Sequence, residues 1–569
     1  MNQVGRCGIC AGSLALRYPG RNDAPGSQDL SPTSHPLGAH ADILECRECG
    51  TLQQPTLIEQ PDLPGLYREM RDDAYLDEET GRRRAAARVL DLVGAHVPTG
   101  KLLDVGCGHG LLLDEARKRG YETLGLELAA DAAGYARESL GLEVLEQTIE
   151  DLDDDARFDV ITLIDVLEHL PDPASTIRRC RDLLMPDGVL CIVTPDPSSV
   201  TARLAGRRWW GLVPAHSFLV PRRTLLELLI AGGLAIAADV PYVRSFSLGY
   251  WLAGLAERSE RFGRGRRAIE AIGERLQLSL SLGDERVIIA SRVQSHVPSH
   301  KLVEDRGGDT KVHVVLPAYK AASTIPIVAA TLPAKAADRA LLVDDASPDD
   351  TSAVALREGF EVIRHPANRG YGANQKTCYV RAALDGADIV VMVHADHQYD
   401  PGLVAEMAQP IADGVADVVI GSRLLEDRAI AGGMPRWKWI GNRVLTTIEN
   451  WAFRRSHSEY HTGYRAFSVD FLREISFLRN SDNFVFDQEI FAQVVARGGA
   501  VTELAIPTRY FVEASSVSFT KSVEYGLQTL WVLARFRADA RRGRWALLRR
   551  PAVALAPERS GTHMERTPG

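Results

Sequence analysis

The sequence predicts a multidomain α/β protein, and three observations predict it. The chain has 569 residues, more than one hydrophobic core sustains, so three or four folding units are expected. Apolar strand-like and amphipathic helix-like segments alternate in two long series, the pattern of parallel sheets covered by helices on both faces. A polar stretch carrying His, Pro and Gly-Gly, 295–310, separates the two series and reads as a linker.

Composition narrows the function classes. Hydrophobic residues make up 45% and charged residues 25% of the chain, ordinary values for a folded globular protein. The formal net charge is −9, which supplies no basic footprint for nucleic acid. The opening Met1-Asn-Gln-Val-Gly-Arg-Cys7 lacks the apolar core of a signal peptide. The most apolar window, Leu225 to Trp251, is interrupted by Glu227, Asp239 and Arg244, so no membrane span is expected. A cytoplasmic location is the resulting expectation.

Residues 1–60 are rich in Gly, Pro and Ser with little periodicity. Within them, Cys7-Gly-Ile-Cys10 and Cys46-Arg-Glu-Cys49 repeat the spacing by which a hairpin presents two sulfurs to a tetrahedral metal, so a zinc-ribbon-like segment with a structural zinc is expected. The 35 intervening residues exceed a short ribbon, which leaves His35 or His40 open as alternative ligands. Free cysteines in a loose terminus are the other reading. Cys107, Cys180, Cys191 and Cys378 stand in apolar or glycine-rich contexts and read as small buried residues.

The first α/β series comes next. A helical pattern at Arg82–Val97 precedes a strand at Lys101–Val105, a helix at Leu111–Arg119, a strand at Tyr121–Leu128 and a helix at Ala130–Leu140. Phe158–Ile164 and Gly188–Thr194 are further strands around a helix at Ala174–Leu184. Val287–Val293 closes the unit, after an inserted helical segment expected at Phe246–Leu282. Asp104-x-Gly106-x-Gly108-x-Gly110 puts glycines at a strand-to-helix turn, where a ligand can approach bare backbone. Glu127 ends the next strand, where a carboxylate can accept ribose hydroxyls. Periodicity alone leaves a nicotinamide or flavin domain open.

Asp104-Val-Gly-Cys-Gly-His-Gly110, Gly125-Leu-Glu127, Phe158-Asp-Val-Ile161, Val166-Leu-Glu-His-Leu-Pro-Asp-Pro173 and Leu184-Met-Pro-Asp-Gly-Val-Leu190 together resemble the class I S-adenosylmethionine-dependent methyltransferases, across 61–294. The resemblance implies a Rossmann-like seven-stranded sheet with an antiparallel last strand. It implies S-adenosyl-L-methionine as cofactor, its methionine part on Asp104, Gly106, Gly108 and Gly110, its ribose on Glu127, and its adenine near Glu150 or Asp151. Asp187-Gly188 stands where the family usually has Gly-Gly, a departure in a turn. His169 and His216 are candidate proton acceptors, because histidine titrates near neutrality. Capping or packing is the alternative for His169. Relatives with a Cys-x-x-Cys prefix act on sugars and small molecules.

In the second series the expected strands are His313–Leu316, Ala340–Val343, Glu361–Arg364, Ile389–His394 and Val418–Gly421. Asp344 and Asp345 end one strand and can bind a nucleoside; a helix-capping turn is the alternative, because Ser-Pro-Asp-Asp-Thr comes directly after. Asp396 stands just beyond another strand and can hold Mg or Mn against a diphosphate. With Val314-Val-Leu-Pro-Ala-Tyr319, Asn368-Arg-Gly-Tyr-Gly372, Gly421-Ser-Arg423, Thr462-Gly-Tyr-Arg465 and Phe486-Asp-Gln-Glu489, this set resembles family 2 glycosyltransferases of GT-A fold, most of all the polyprenyl-phosphate mannosyl- and glucosyltransferase branch. The resemblance implies a nucleotide-sugar site on Pro317, Tyr319, Asp344, Asp345, Arg369, Gly370 and Asp396, and direct inverting attack by the acceptor. His394-Ala-Asp396 stands where the family often has Asp-x-Asp, and Lys320 replaces the usual Asn. Asp487 is the candidate catalytic base; the N-cap of the helix Gln488–Ala496 is its alternative role. Gly432 to Trp439 reads as a mobile loop beside the acceptor. The glycosyltransferase domain is expected over 311–545. Arg535–Arg550 reads either as contact with anionic lipid or as a solvated helix. Residues 546–569 read as a flexible tail.

The sequence therefore reads as a bifunctional transferase, using S-adenosylmethionine and a nucleotide-sugar donor, with a glycan, small-molecule or polyprenyl-phosphate acceptor. Nucleic acid is not expected as a partner. Peripheral contact at the inner face of the membrane is an option, and the sequence carries no signal for oligomeric state. Two alternatives stand beside it: a polyprenyl-phosphate sugar synthase whose methyltransferase serves a separate substrate, and a chain in which one half is a binding module.

Overall fold

The structure is a computed structural model describing residues 5–20, 26–31, 40–72, 74–248, 277–293, 295–425, 434–507, 519–539, 545–551, 553 and 555. The chain divides into two compact units, Met1–Arg292 and Val293–Gly569.

The amino-terminal unit begins with a small antiparallel sheet of β1 (Leu14–Tyr18), β2 (Ile43–Cys46) and β3 (Leu52–Gln53). This ribbon is joined to the rest of the unit by its third strand: Leu52 and Gln53 pair with Leu219 and Phe218 of β9 (Phe218–Leu219). The principal sheet uses β4 (Lys101–Val105), β5 (Glu122–Leu126), β6 (Val144–Leu145), β7 (Phe158–Ile164), β8 (Leu184–Pro195), β10 (Leu234–Pro241) and β13 (Glu285–Arg292). Its seven strands lie in the order β10-β13-β8-β7-β4-β5-β6. β4 to β8 run parallel, and β13 is antiparallel to both its neighbours. Val89, Leu102, Leu113, Val160, Cys191 and Ile289 share one core against this sheet, the two-sided burial that continuous apolar strands require.

The expected inserted helical segment is corrected at its edges. β11 (Arg244–Ser247) and β12 (Gln277–Leu280) form an antiparallel pair, so Gln277–Leu280 is strand; the stretch 249–276 lies outside the described residues.

The carboxy-terminal unit holds an eight-stranded sheet in the order β14-β17-β16-β15-β18-β20-β19-β21. Its strands are β14 (Ser295–His296), β15 (Val312–Ala318), β16 (Arg339–Asp344), β17 (Glu361–Arg364), β18 (Ile389–Met392), β19 (Val418–Ser422), β20 (Arg465–Ser468) and β21 (Val501–Ala505). β15, β16, β17 and β18 are parallel, whereas β20 runs antiparallel between β18 and β19. The linker expectation for 295–310 is also corrected: Ser295 and His296 pair with Ile363 and Val362, and Val303 is buried in this unit's core. The polar composition misled because a short edge strand needs backbone hydrogen bonds, not apolar side chains.

The tail boundary moves as well. Trp545, Leu547 and Leu555 are buried; Gln493 Nε2 donates to the Leu547 carbonyl at 2.9 Å, and Arg473 Nε donates to the Leu555 carbonyl at 3.0 Å. Residues 556–569 lie outside the described residues. Among the described residues no helix is long and apolar enough to cross a membrane.

Candidate functional sites

The four cysteines of the ribbon converge. Cys7 Sγ lies 3.7 Å from Cys49 Sγ and Cys10 Sγ 3.3 Å from Cys46 Sγ, too far for a disulfide and right for four sulfurs around one ion. Each hairpin turns so that a donor two residues on faces a sulfur. Ile9 N donates to Cys7 Sγ, Gly12 N to Cys10 Sγ and Glu48 N to Cys46 Sγ, each at 3.4 Å. Such donors stabilise thiolates, the form a metal binds. His40 is not among the four; its Nδ1 is 2.7 Å from the Ala41 carbonyl. His35 lies outside the described residues.

The glycine turn after β4 has the conformation its residues allow. Gly106, Gly108 and Gly110 take φ of +69°, +53° and +77°, a region that costs other residues strain. A Cβ at Gly106 would lie 2.6 Å from Val166 Cγ2, and one at Gly110 2.6 Å from Leu142 Cδ1. At Gly108 the nearest atom is the Tyr75 hydroxyl at 3.8 Å, so that glycine faces the open side. Glu127 reaches across, its Oε2 accepting from Gly108 N and its Oε1 from Ala129 N, both at 2.8 Å. Asp104 accepts from Thr162 Oγ1 at 2.6 Å, and burial pushes its carboxyl up to about 7. Glu150 accepts from Thr176 Oγ1 at 3.0 Å, while Asp151 accepts from the backbone and hydroxyl of Thr148. Both carboxylates are exposed; Asp151 closes the Thr148–Asp151 turn.

Beside this cradle lies a cleft. Asp165, with φ +53°, is reached by solvent yet ringed by protein, and this desolvation pushes its carboxyl up to about 7. Glu168 is buried, accepts from Thr194 Oγ1 at 2.9 Å, and is held well above the usual carboxylate range by desolvation and then by Asp165. His169 Nδ1 sits 3.0 Å from the Ala215 carbonyl and 2.9 Å from the Tyr67 hydroxyl; His216 Nδ1 sits 2.8 Å from the Gly211 carbonyl. Each ring thus turns its Nδ1 toward a backbone carbonyl, and His169 also meets the Tyr67 hydroxyl there. One ligand atom from each of Glu168, His169 and His216 lies within 4.8 Å of the others, so the two candidate histidines are one cluster. The donor set of that cluster is also able to hold a cation.

The ribbon builds the wall of this cleft. The Gln54 amide donates at 2.7 Å to both the Val213 and the His216 carbonyls, and accepts from Ala41 N at 2.9 Å. Trp209 and Trp210 both donate to Asp284. Tyr75 stacks on His109 at 4.7 Å between ring centroids. Tyr67, Tyr75, Asp165 and Gln54 were not legible as site residues, because none stands in a spaced motif.

In the second unit, strained backbone marks one edge of the sheet. Lys320, Ala346 and His397, none of them glycine, take φ of +54°, +55° and +57° just after β15, β16 and β18, the kind of outlier that gathers at functional sites. Pro317 lies within β15, and Tyr319 beyond its end is 50% exposed. Asp344 accepts from Ser347 N at 2.9 Å and from Arg364 Nη1 at 3.0 Å, and is wholly buried. Asp345 accepts from Arg369 N at 2.9 Å and Gly370 N at 2.8 Å, and faces His365 Nδ1 at 2.7 Å. The pair therefore braces the two loops of the expected nucleotide pocket, bringing Arg369 and Gly370 to the strand end. Asp396 is partly exposed and accepts from the local Gln398 N at 3.1 Å.

Asp487 stands in the first turn of the helix Phe486–Arg497, whose N-cap is Val485; the capping role does not hold. Its carboxylate accepts instead from Tyr371 Oη at 3.1 Å, Gln375 Nε2 at 3.1 Å and the buried Arg465 at 3.3 Å. Tyr371 is also 3.0 Å from His394 Nε2, which joins His394 to Asp487 through one hydroxyl. Burial lowers the His394 pKa, against the opposing pull of Asp396 and Asp487. A Cβ at Gly463 would lie 2.1 Å from His394 Nε2, so Thr462-Gly463-Tyr464-Arg465 makes room for the histidine with its glycine and holds Asp487 with its arginine. The expected mobile loop is corrected in part: Arg436–Phe453 is helix, and 426–433 lies outside the described residues.

Each unit thus carries its own mixed sheet, with a polar site at the carboxy ends of the parallel strands. A methyltransferase domain model matches residues 78–238 and a glycosyl transferase family 2 model matches 313–476. The chain thus joins a methyltransferase domain to a family 2 glycosyltransferase domain. It is 30% identical over 200 residues to an uncharacterized protein of Methanocaldococcus jannaschii, covering 35% of this chain and 82% of that one. Against the ubiquinone biosynthesis O-methyltransferase of Xanthomonas campestris pv. campestris it is 36% identical over 125 residues, 20% of this chain and 52% of the relative; the match spans about half of that relative's length. Among solved structures, glucosyl-3-phosphoglycerate synthase from Mycobacterium tuberculosis, in complex with Mn2+, uridine diphosphate and phosphoglyceric acid, aligns at 18% identity with a TM-score of 0.33, over 42% of this chain and 84% of that one.

Proposed function

We propose that the chain transfers a methyl group in its first unit and a glycosyl group in its second, on successive stages of one glycan or glycosylated small molecule. The observation that carries the reading is the pairing, in each unit, of a donor pocket with a polar acceptor group at the same sheet edge: Gly106–Gly110 with the His169–His216 cluster, and Asp396 with Asp487.

In the first unit, S-adenosylmethionine supplies an electrophilic methyl group. The open Gly108, the Asp104 carboxyl and Glu127 would hold its methionine and ribose parts. Glu127 already accepts two backbone amides, and each of its oxygens retains a further lone pair for a hydroxyl. His169 and His216, whose Nδ1 atoms face backbone carbonyls, are the candidate bases, one of them taking the proton of an acceptor hydroxyl as methyl transfer proceeds. Water displaced from the cleft by the bound acceptor would favour attack on a sulfonium.

In the second unit, Asp487 removes the acceptor proton, and the acceptor oxygen displaces the nucleoside diphosphate with inversion. Tyr371, Gln375 and Arg465 hold that carboxylate in position. A divalent Mg or Mn ion, when bound, neutralises charge on the leaving diphosphate. Asp396 fits as its one protein carboxylate, with the diphosphate supplying other oxygens, because His394 is turned toward Tyr371. The four-sulfur ribbon fits a structural zinc. A mass spectrum of the product from isotope-labelled methyl donor and a panel of nucleotide sugars tests the reading: one product carrying both labels supports it, whereas label in only one position with every acceptor rejects the shared substrate.

A further inference from the structure

The helices Arg436–Phe453 and Phe519–Asp539 lie side by side. Phe453 meets Phe536 edge-on at 5.0 Å between centroids, and a Cβ at Gly526 would lie 3.9 Å from Leu445 Cδ1. Their outward faces are apolar. On the first, Trp437, Ile440, Val444 and Trp451 are 45%, 56%, 54% and 67% exposed, at steps of three, four and seven residues that place them on one stripe. On the second, Leu527 and Trp531 are 64% and 55% exposed, one turn apart. A soluble surface seldom leaves so many large apolar groups together without a partner.

Around this face basic groups outnumber acids, Glu524 being the exposed acid of the second helix, three residues before Leu527. Lys438 lies over Trp437 at 5.5 Å, Arg537 over Trp451 at 4.5 Å, and Arg535 over Trp531 at 4.9 Å. The sole acid of the first helix, Glu449, is wholly buried and faces His461. The chain as a whole carries −9, so these cations are a local feature and not a general basicity. Tryptophans flanked by Lys and Arg on an amphipathic helix are the arrangement that lies in a membrane–water interface.

We propose that this paired-helix face is a docking surface for an anionic lipid bilayer. Trp437, Trp451 and Trp531 enter the headgroup region, and Lys438, Arg535 and Arg537 meet lipid phosphates. The apolar stripe lies on the helices Arg436–Phe453 and Phe519–Asp539 and shares only Arg535 and Arg537 with the Arg-rich segment that the sequence alone suggests, and it would place the glycosyltransferase unit at a membrane surface. The inference does not depend on which acceptor the enzyme uses.

The test is sedimentation of the full chain with vesicles of phosphatidylcholine alone, and with about one third phosphatidylglycerol added. The expected result is binding to the anionic vesicles at least roughly tenfold above the neutral ones, weakened by salt. Trp451→Glu with Trp531→Glu should lower that partition at least about tenfold and leave nucleoside diphosphate binding unchanged. If the double variant does not fold, Trp451→Ser with Trp531→Ser keeps the test, with quenching of tryptophan emission by brominated lipid as second readout. A wild-type chain that ignores anionic vesicles, or variants that bind them equally well, overturns the proposal. So does concentration-dependent self-association removed by the same substitutions, which would assign the face to a second copy of the chain. Because nucleotide binding is measured separately, failure here leaves the glycosyltransferase reading standing.

Discussion

At the scale of single residues, burial sets the behaviour of the methyl-donor pocket. Asp104 and Asp165 both sit at about 7 against an ordinary 3.8, chiefly through desolvation. A folded-state pKa raised above the unfolded value adds stability below the unfolded pKa, and that contribution is lost as pH rises through the folded one. The free protein should therefore lose thermal stability between about pH 4 and about pH 7 on account of these two groups. A cationic donor reverses the sign for binding, because it favours the ionised carboxylate. Affinity for S-adenosylmethionine should rise from about pH 6 to about pH 8, with proton release visible when calorimetry is repeated in buffers of different ionisation heat. Affinity that falls over this range would remove Asp104 from the donor site. Glu127→Ala should weaken donor binding by roughly 1–3 kcal/mol, since it strands hydrogen-bonding groups. Asp487→Asn should spare nucleotide binding and lower turnover alone, as loss of a base does.

At the scale of elements, the strongest expectations concern glycines and the ribbon. Gly106→Ala places a methyl group against Val166 at a φ of +69°; it should cost at least about 1–2 kcal/mol of stability, measured by denaturant unfolding, and reduce donor binding with it. Gly463→Ala should displace His394 and slow glycosyl transfer. If the ribbon's metal holds the cleft wall through Gln54, then removing zinc with a chelator and mercurial should speed amide hydrogen exchange across 209–220, while the β4–β8 core stays protected. Unchanged exchange there would make the ribbon a separate appendage. Sequence pattern revealed the apolar parallel strand Phe158–Ile164 to the residue, because strands buried on both faces are near-continuous apolar runs, and it also gave the bounds of the shorter Glu361–Arg364. It missed β20 and β21, short strands that carry Arg465 and Glu503, and it missed β14 in a polar stretch. The glycine turn, the cysteines and Asp487 were legible because chemistry fixes their spacing or neighbours. Tyr67, Tyr75, Gln54 and the role of Tyr371 were not, since each is brought to its site by tertiary packing alone.

At the scale of the whole molecule, the account holds that one chain contains two independent donor sites, one in each unit. The division at Arg292 and Val293 predicts that a fragment beginning at Val293 folds, whereas one beginning at 311 loses β14 and the buried Val303 and unfolds at lower denaturant. The most direct test of the central claim is calorimetry on the full chain with S-adenosylhomocysteine and, separately, with uridine and guanosine diphosphates in the presence of Mn2+. The account predicts one site for each class of ligand. Glu127→Ala should weaken the first alone, and Asp396→Ala should remove the metal dependence of the second alone. Competition between the two ligands for one site, or loss of both from either substitution, would contradict it.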